Sequence, residues 1–385
     1  MIKVAIVGTG SIARVHIEAL QTLSDQVAVA AVTDIDAAKA EEFGARYGIR
    51  SHPTLPGLLA EDPPELVHIC TPPGSHASVA IACLRAGSSV LVEKPPALSL
   101  EEMHAIAAAA TSRQSDGQIG GPGGGQRGAG PWFASVFQHR FGSGAQRLRG
   151  LIRDGVLGRP LLAVCSTTWF RDQHYFDEPW RGRWETEGGG PTMGHGIHQM
   201  DLLAYLLGDW TEISAVVRRQ ARRMETEDLS LAHVTFASGA VASVINSVLS
   251  PREESYLRFD FEKATVELTH LYGYGDDDWR LTPAPGCADD VAAAWEAGSR
   301  GISSGHRAQF DEVLRALREH TPPPVTADSA LGTMSMVAGI YAAAFGGRPV
   351  QPADLGPGSP FYQRMDGSGA GLATLCSPNV AGAAR

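Results

Sequence analysis

Residues Ile2 to Val7 form an apolar run, broken only by Lys3, that stops at Gly8-Thr9-Gly10-Ser11-Ile12-Ala13. Such a run predicts a strand buried on both faces. Ile12, Val15, Ala19 and Leu20 follow at helical spacing, so the glycines lie between a strand and a helix. The pattern reads G-x-G-x-x-A. The first glycine makes the turn, and the second lets backbone approach a pyrophosphate at the positive end of the helix. Ser11 and Ile12 open that helix. Asp34 ends the next apolar run, Val27–Thr33, 24 residues after Gly10. A carboxylate there can accept hydrogen bonds from ribose hydroxyls and repels a 2′-phosphate. No Arg follows it in Asp34-Ile35-Asp36-Ala37, so the spacing favours NAD over NADP. The plain alternative is a glycine turn beside a surface Asp.

The alternation continues. A helix is expected at 36–47, a strand at 66–70, a helix at 75–85, a strand at 90–92, a helix at 99–110 and a strand at 133–138. Repeated β and α units of this length predict an α/β domain, a parallel sheet with helices on both faces. Ligands of such sheets bind at the carboxyl ends of the strands. Thr71-Pro72-Pro73 and Glu93-Lys94-Pro95 fall there, with His76 in the helix expected between them. Lys94 can polarise an oxygen or steady a neighbouring base; otherwise it is a surface lysine. Gln114 to Pro131 is rich in Gly and small polar residues and reads as a loop at the opposite edge, tolerated rather than functional.

After residue 141 the pattern changes. A helix is expected at 143–154 and a strand at 160–168, then an aromatic polar loop at 169–187 with Tyr175, Phe176, Trp180, Arg183 and Trp184. Aromatic faces with polar edges suit a sugar or cyclitol, or serve as a packed lid or subunit contact. Gly188-Gly189-Gly190 then opens a helix expected from about 191 to 207. His195 and His198 are three apart on it and share a face. A histidine at this helix start can take a hydroxyl proton, or can pack against Asp201. A metal held by His195, His198 and Asp201 fits poorly, because Asp201 is turned away from His195. Runs at 231–236 and 240–248 flank Ser238-Gly239 as a hairpin, further strands follow at 257–261 and 265–268, and helices close the series at 306–319 and 328–345. The expected division is 1–141 for nucleotide binding, with the loop at 113–131; 142–355 for substrate and subunit contacts; and 356–385 as a flexible Gly, Ala and Ser-rich tail.

Net charge of −10 and a pI of about 5.7 exclude a general nucleic-acid or anionic-membrane surface. Five cysteines without C-x-x-C spacing argue against a disulfide framework or zinc ribbon and fit a reducing cytoplasm. The N-terminus lacks signal-peptide architecture, and no run reaches the roughly 20 apolar residues of a membrane span.

Taken in order, G-T-G-S-I-A-R-V-H at 8–16, Asp34, T-P-P-G-S-H at 71–76, E-K-P at 93–95 and G-G-G-P-T-M-G-H-G-I-H-Q-M-D at 188–201 resemble the glucose–fructose oxidoreductase / inositol dehydrogenase / MocA (Gfo/Idh/MocA) family. The resemblance covers roughly residues 1–350. It implies a Rossmann domain followed by an α+β domain with an open, mostly antiparallel sheet that often forms a dimer or tetramer contact. It implies NAD(P)-dependent chemistry on a small carbohydrate-like substrate, with Lys94 and His198 as the catalytic pair. Gly8, Gly10, Ser11, Ile12, Asp34, Thr71, Pro72, His76, Glu93 and Lys94 then line the cofactor, and Tyr175, Trp180, Arg183, Trp184 and His195 the substrate. One position departs: where the family commonly has Asp four residues before the catalytic histidine, this chain has Gly194. Two other functions remain open at this stage, glycoside cleavage through transient oxidation and a dinucleotide-binding regulator without catalysis.

Overall fold

A computed structural model describes residues 1–115, 130–369 and Leu375. The centre of the Gly-rich stretch (116–129) and the end of the tail lie outside the described residues. Two compact units emerge. The first comprises 1–97, 102–136 and 306–331, and the second comprises 98–101, 137–305 and 332–385.

The first unit holds strands β1 (Ile2–Val7), β2 (Val27–Thr33), β3 (Arg50–Ser51), β4 (Leu66–Ile69), β5 (Ser89–Val92) and β6 (Phe133–Ser135). All pair in parallel, in the order β3-β2-β1-β4-β5-β6. This is the doubly wound order, with its switch point between β1 and β4. Ile6, Ile17, Leu20, Leu66 and Leu91 form one core with Phe310, Val313 and Leu314. Those last three lie on the helix His306–Glu319, which the sequence reading grouped with the second domain. Its apolar stripe was legible, but a stripe does not name the surface it covers. The short β3 and the helix Leu55–Glu61 were not foreseen.

The second unit is built on β7 (Pro160–Phe170), β8 (Trp210–Arg218), β9 (Leu229–Phe236), β10 (Val241–Ser247), β11 (Leu249–Phe261), β12 (Ala264–His270) and β13 (Trp279–Pro283). Their order is β13-β12-β11-β7-β10-β9-β8, and only β7 and β10 pair in parallel. Gly239 turns the β9–β10 hairpin at φ +87°. Side chains alternate in and out along β7 and β9, so one face carries the core. On the other face Leu162, Val216, Leu231 and Val241 stay 42–47% exposed.

The tail is partly docked. Phe361 and Met365 are buried, and the Phe361 ring stacks on Phe345. The helix Ala327–Gly346 is long and apolar enough to cross a membrane, but it is mostly buried within the protein.

Candidate active site

The nucleotide turn is set by backbone geometry. Gly8 has φ +91°, and a Cβ there would approach the Cys70 carbonyl carbon to 2.8 Å. Only glycine fits on both counts. A Cβ at Gly10 would meet nothing within 4 Å, so space is open above the first turn of the helix Ser11–Gln21. Asp34 ends β2 and is tied to that turn: its Oδ2 accepts from the Thr9 N–H at 2.7 Å and the Thr9 hydroxyl at 2.8 Å. An open cradle at a helix start with a fixed carboxylate beside it fits a dinucleotide.

Thr71 and Lys94 lie at the carboxyl ends of β4 and β5, both half-buried, and Pro72 is exposed beside Thr71. His76 and Glu93, expected to line the cofactor, are instead inside the scaffold. His76 is 1% exposed, with Nδ1 2.7 Å from the Pro95 oxygen and Nε2 2.8 Å from the Thr71 oxygen. It ties the two strand ends together. Burial lowers its pKa, although both carbonyls favour a proton on the ring.

Glu93 is the hub of a buried cluster. Oε1 accepts from His16 Nε2 at 2.9 Å and from His306 Nε2 at 3.1 Å, while Oε2 accepts the Lys94 N–H at 3.1 Å. Burial alone would raise the Glu93 pKa, but the hydrogen bonds from His16 and His306 hold it well below the usual range. His16 Nδ1 lies 2.9 Å from His68 Nδ1. With His16 donating to Glu93, its Nδ1 accepts the His68 proton. The ligand atoms of His16, Glu93 and His306 lie within 4.8 Å of one another, and hydrogen bonding accounts for that spacing. His16 and Glu93 stand in the motifs at 8–16 and 93–95, but nothing local in the sequence shows that they meet each other, His68 and His306.

This cluster gives the protein an acid-sensitive core. Burial lowers the pKa of His16 and takes that of His68 well below normal. In the unfolded chain both titrate near about 6.5, so below that pH the unfolded state binds more protons and stability falls as pH falls. The urea midpoint is expected to drop between about pH 7.5 and about pH 5.5. His68→Leu should flatten that slope while costing about 1–2 kcal/mol at neutral pH. An unchanged slope in His68→Leu would assign the acid sensitivity elsewhere.

In the second unit the expected continuous helix is broken. One turn, Pro191–Gly194, ends at His195, and a new helix runs Ile197–Leu207. A Cβ at Gly196 would overlap the Asn246 side chain, so β10 packs directly on the break. His195 and His198 therefore do not share one helix face. His198 lies in the first turn of the second helix, half-buried, its ring stacked on His139 at 4.9 Å. His139 is held by Nε2 on the Tyr272 oxygen at 2.7 Å. His195 is 7% exposed, with Nε2 3.2 Å from the Tyr175 hydroxyl.

Two buried carboxylates brace this segment, and sequence reasoning missed both roles. Glu227 accepts from the Gly190 N–H at 3.0 Å, the Thr192 N–H at 3.1 Å and the Tyr341 hydroxyl at 2.9 Å. Asp201 takes both its oxygens to Arg140 and Thr333, not to a histidine.

The aromatic loop divides. Tyr175 and Trp180 are half-buried on either side of Arg181, and Arg183 is exposed. Trp184, expected at the substrate, is core: it is 7% exposed, packs edge-on against Tyr341, and donates to the Glu225 carbonyl. Its indole is paired away from any open surface.

A doubly wound sheet with this glycine cradle defines a dinucleotide-binding unit. The family described as "Oxidoreductase family, NAD-binding Rossmann fold" matches residues 2–120, and the GFO/IDH/MocA C-terminal domain matches residues 145–267. The chain belongs to the Gfo/Idh/MocA family of oxidoreductases. It is similar to the D-glucoside 3-dehydrogenase of Escherichia coli K12, at 27% identity over 73% of this chain and 80% of that protein. The D-apiose dehydrogenase of Paraburkholderia graminis is 24% identical over 91% and 89%. Among solved structures, the WlbA dehydrogenase of Bordetella pertussis, in complex with NADH and UDP-GlcNAcA, has a TM-score of 0.77 at 25% identity. That match covers 91% of this chain and 97% of the other.

Proposed function

We propose that this protein is an NAD-dependent dehydrogenase or reductase acting on a hydroxyl or carbonyl of a sugar, cyclitol or related polyol. The observation that carries the reading is the carboxyl edge of the first sheet. There the Gly8–Gly10 cradle, the tethered Asp34 and Lys94 follow the carboxyl ends of β1, β2 and β5 of one sheet. The named relatives, which act on a glucoside and on apiose, support a polyhydroxylated substrate.

Bound NAD supplies the acceptor for the hydride of a C–H bond. The backbone at Gly8 and Gly10 holds the pyrophosphate, and the Asp34 carboxylate takes the ribose hydroxyls. Its charge opposes a 2′-phosphate, which supports NAD over NADP. The Lys94 ammonium stabilises the substrate oxygen as charge develops on it. His198 removes the hydroxyl proton in oxidation and returns it in reduction. Tyr175, Trp180 and His195 offer ring faces and polar edges to the polyol.

The exposed apolar face at Leu162, Val216, Leu231 and Val241 supports a homo-oligomer, dimer or tetramer. Free cysteines at 70, 83, 165 and 287 suit a reducing cytoplasm.

The test is initial-rate NADH and NADPH formation on a panel of D-glucosides, D-apiose and myo-inositol. Turnover is expected with NAD and at least one polyol. Preference for NADP would overturn the role of Asp34. Glycoside cleavage without net NADH would overturn the dehydrogenase reading.

A further inference from the structure

Four side chains in the second unit form a polar series that the reaction above does not by itself require. Glu187 is 5% exposed, and its Oε2 accepts the Gly182 N–H at 2.6 Å. Its Oε1 lies 3.5 Å from Arg181 Nη1. The Arg181 guanidinium sits 4.0 Å from the Tyr175 ring centre and 4.2 Å from that of Trp180. Nη1 also donates to the Tyr175 hydroxyl, which is 3.2 Å from His195 Nε2. Trp169 meets the His195 ring edge-on at 5.2 Å.

The donors and acceptors in this series can be ordered in one direction from Glu187 to His195. A guanidinium has no lone pair and can only donate. The Tyr175 oxygen accepts from Arg181 and keeps one proton to give, which at 3.2 Å can go to His195 Nε2. A neutral His195 then carries its proton on Nδ1. Burial raises the Tyr175 pKa, which keeps the phenol protonated for this task.

We propose that Glu187, Arg181 and Tyr175 are positioning residues that fix His195 as the Nδ1–H tautomer. In that form it packs as a neutral ring beside Tyr175 and does not act as a second base. This rests on the reading of the Tyr175–His198 region as the substrate site. A His195 with Nε2 accepting and Nδ1 protonated has no lone pair left to take a hydroxyl proton, so the base role falls to His198 alone. Gly194 belongs to the same device. A Cβ there would stand in ordinary contact with Glu187 Oε1 at 3.4 Å, so a carboxylate at 194 would set a like charge beside the one that anchors Arg181. The carboxylate of this segment is thus supplied by residue 187, ahead of the glycines.

The experiment is long-range 1H–15N correlation on 15N-histidine-labelled protein with NAD added, with the His195 signals assigned by their loss in His195→Gln. The wild type is expected to show a protonated Nδ1 and an unprotonated Nε2. Arg181→Met and Tyr175→Phe should each shift His195 toward the Nε2–H form. Gly194→Asp, which leaves all four members in place, should shift it by repelling Glu187. Thermal unfolding shows which variants are folded, and either Tyr175→Phe or Gly194→Asp suffices if the Arg181 variant is not. An Nε2–H wild type, or a tautomer unmoved by folded variants, overturns the proposal. In the same variants KM for the polyol is expected to rise at least about tenfold with a smaller change in kcat. A tautomer that shifts while KM stays put overturns the reading of this region as the substrate site and leaves the relay standing.

Discussion

Lys94→Ala and His198→Ala are each expected to lose at least about a hundredfold in turnover while NAD affinity changes little. Lys94 emerges from β5 with its backbone N–H on Glu93, so the start of its side chain is fixed from a buried hub. An ammonium is a compact point charge, and a guanidinium is a broad planar fork. Lys94→Arg should therefore recover little. His198 is oriented by the His139 ring, itself pinned to the Tyr272 carbonyl. His198→Gln keeps much of the shape but cannot move a proton at neutral pH, and should resemble His198→Ala. The measurements are steady-state rates on the best polyol of the panel and NAD titration by fluorescence. Full activity in both alanine variants would remove the assignment.

The second large effect is on stability. Asp201→Ala should cost about 3–5 kcal/mol, because it leaves the Arg140 guanidinium buried without its carboxylate. Arg140 is 4% exposed and donates Nε to Oδ2 at 2.7 Å and Nη2 to Oδ1 at 2.5 Å, and Thr333 adds a third bond at 2.8 Å. Burial raises the Asp201 pKa against the pull of Arg140. A pair so placed is costly to break and far less costly to remove whole. Arg140→Met added to Asp201→Ala should recover much of the loss, read as the urea midpoint. A single-variant cost below about 1 kcal/mol, with no recovery in the double variant, would show that the pair does not hold this helix.

Much of this was legible in the chain. The first sheet was readable because its strands are short apolar runs separated by helices with glycine stops at Gly48 and Gly87. The cradle and Asp34 followed from spacing alone. What escaped depends on partners distant in sequence. Arg140 and Asp201 are 61 residues apart, and His306 meets Glu93 across 213. The break at His195-Gly196 was invisible because the local spacing suits a continuous helix, and the close approach of Asn246 on β10 that requires glycine at 196 is not written in the local sequence. Trp184 was read with the sugar-facing aromatics because ring chemistry is the same in a pocket and in a core. Its burial, its packing on Tyr341 and its bond to the Glu225 carbonyl tell them apart.

The helix at 306–319 has a consequence for how the chain is made. Phe310, Val313 and Leu314 belong to the core under β1 and β4, yet they leave the ribosome after the whole seven-stranded sheet has been synthesised. The nucleotide-binding unit is thus interrupted by its neighbour in the order of translation. A nascent chain stopped near residue 141 has every strand of the first sheet but lacks part of the core beneath it and the His306 partner of Glu93. The core of the earlier-made half is therefore completed only when the later part of the chain has emerged.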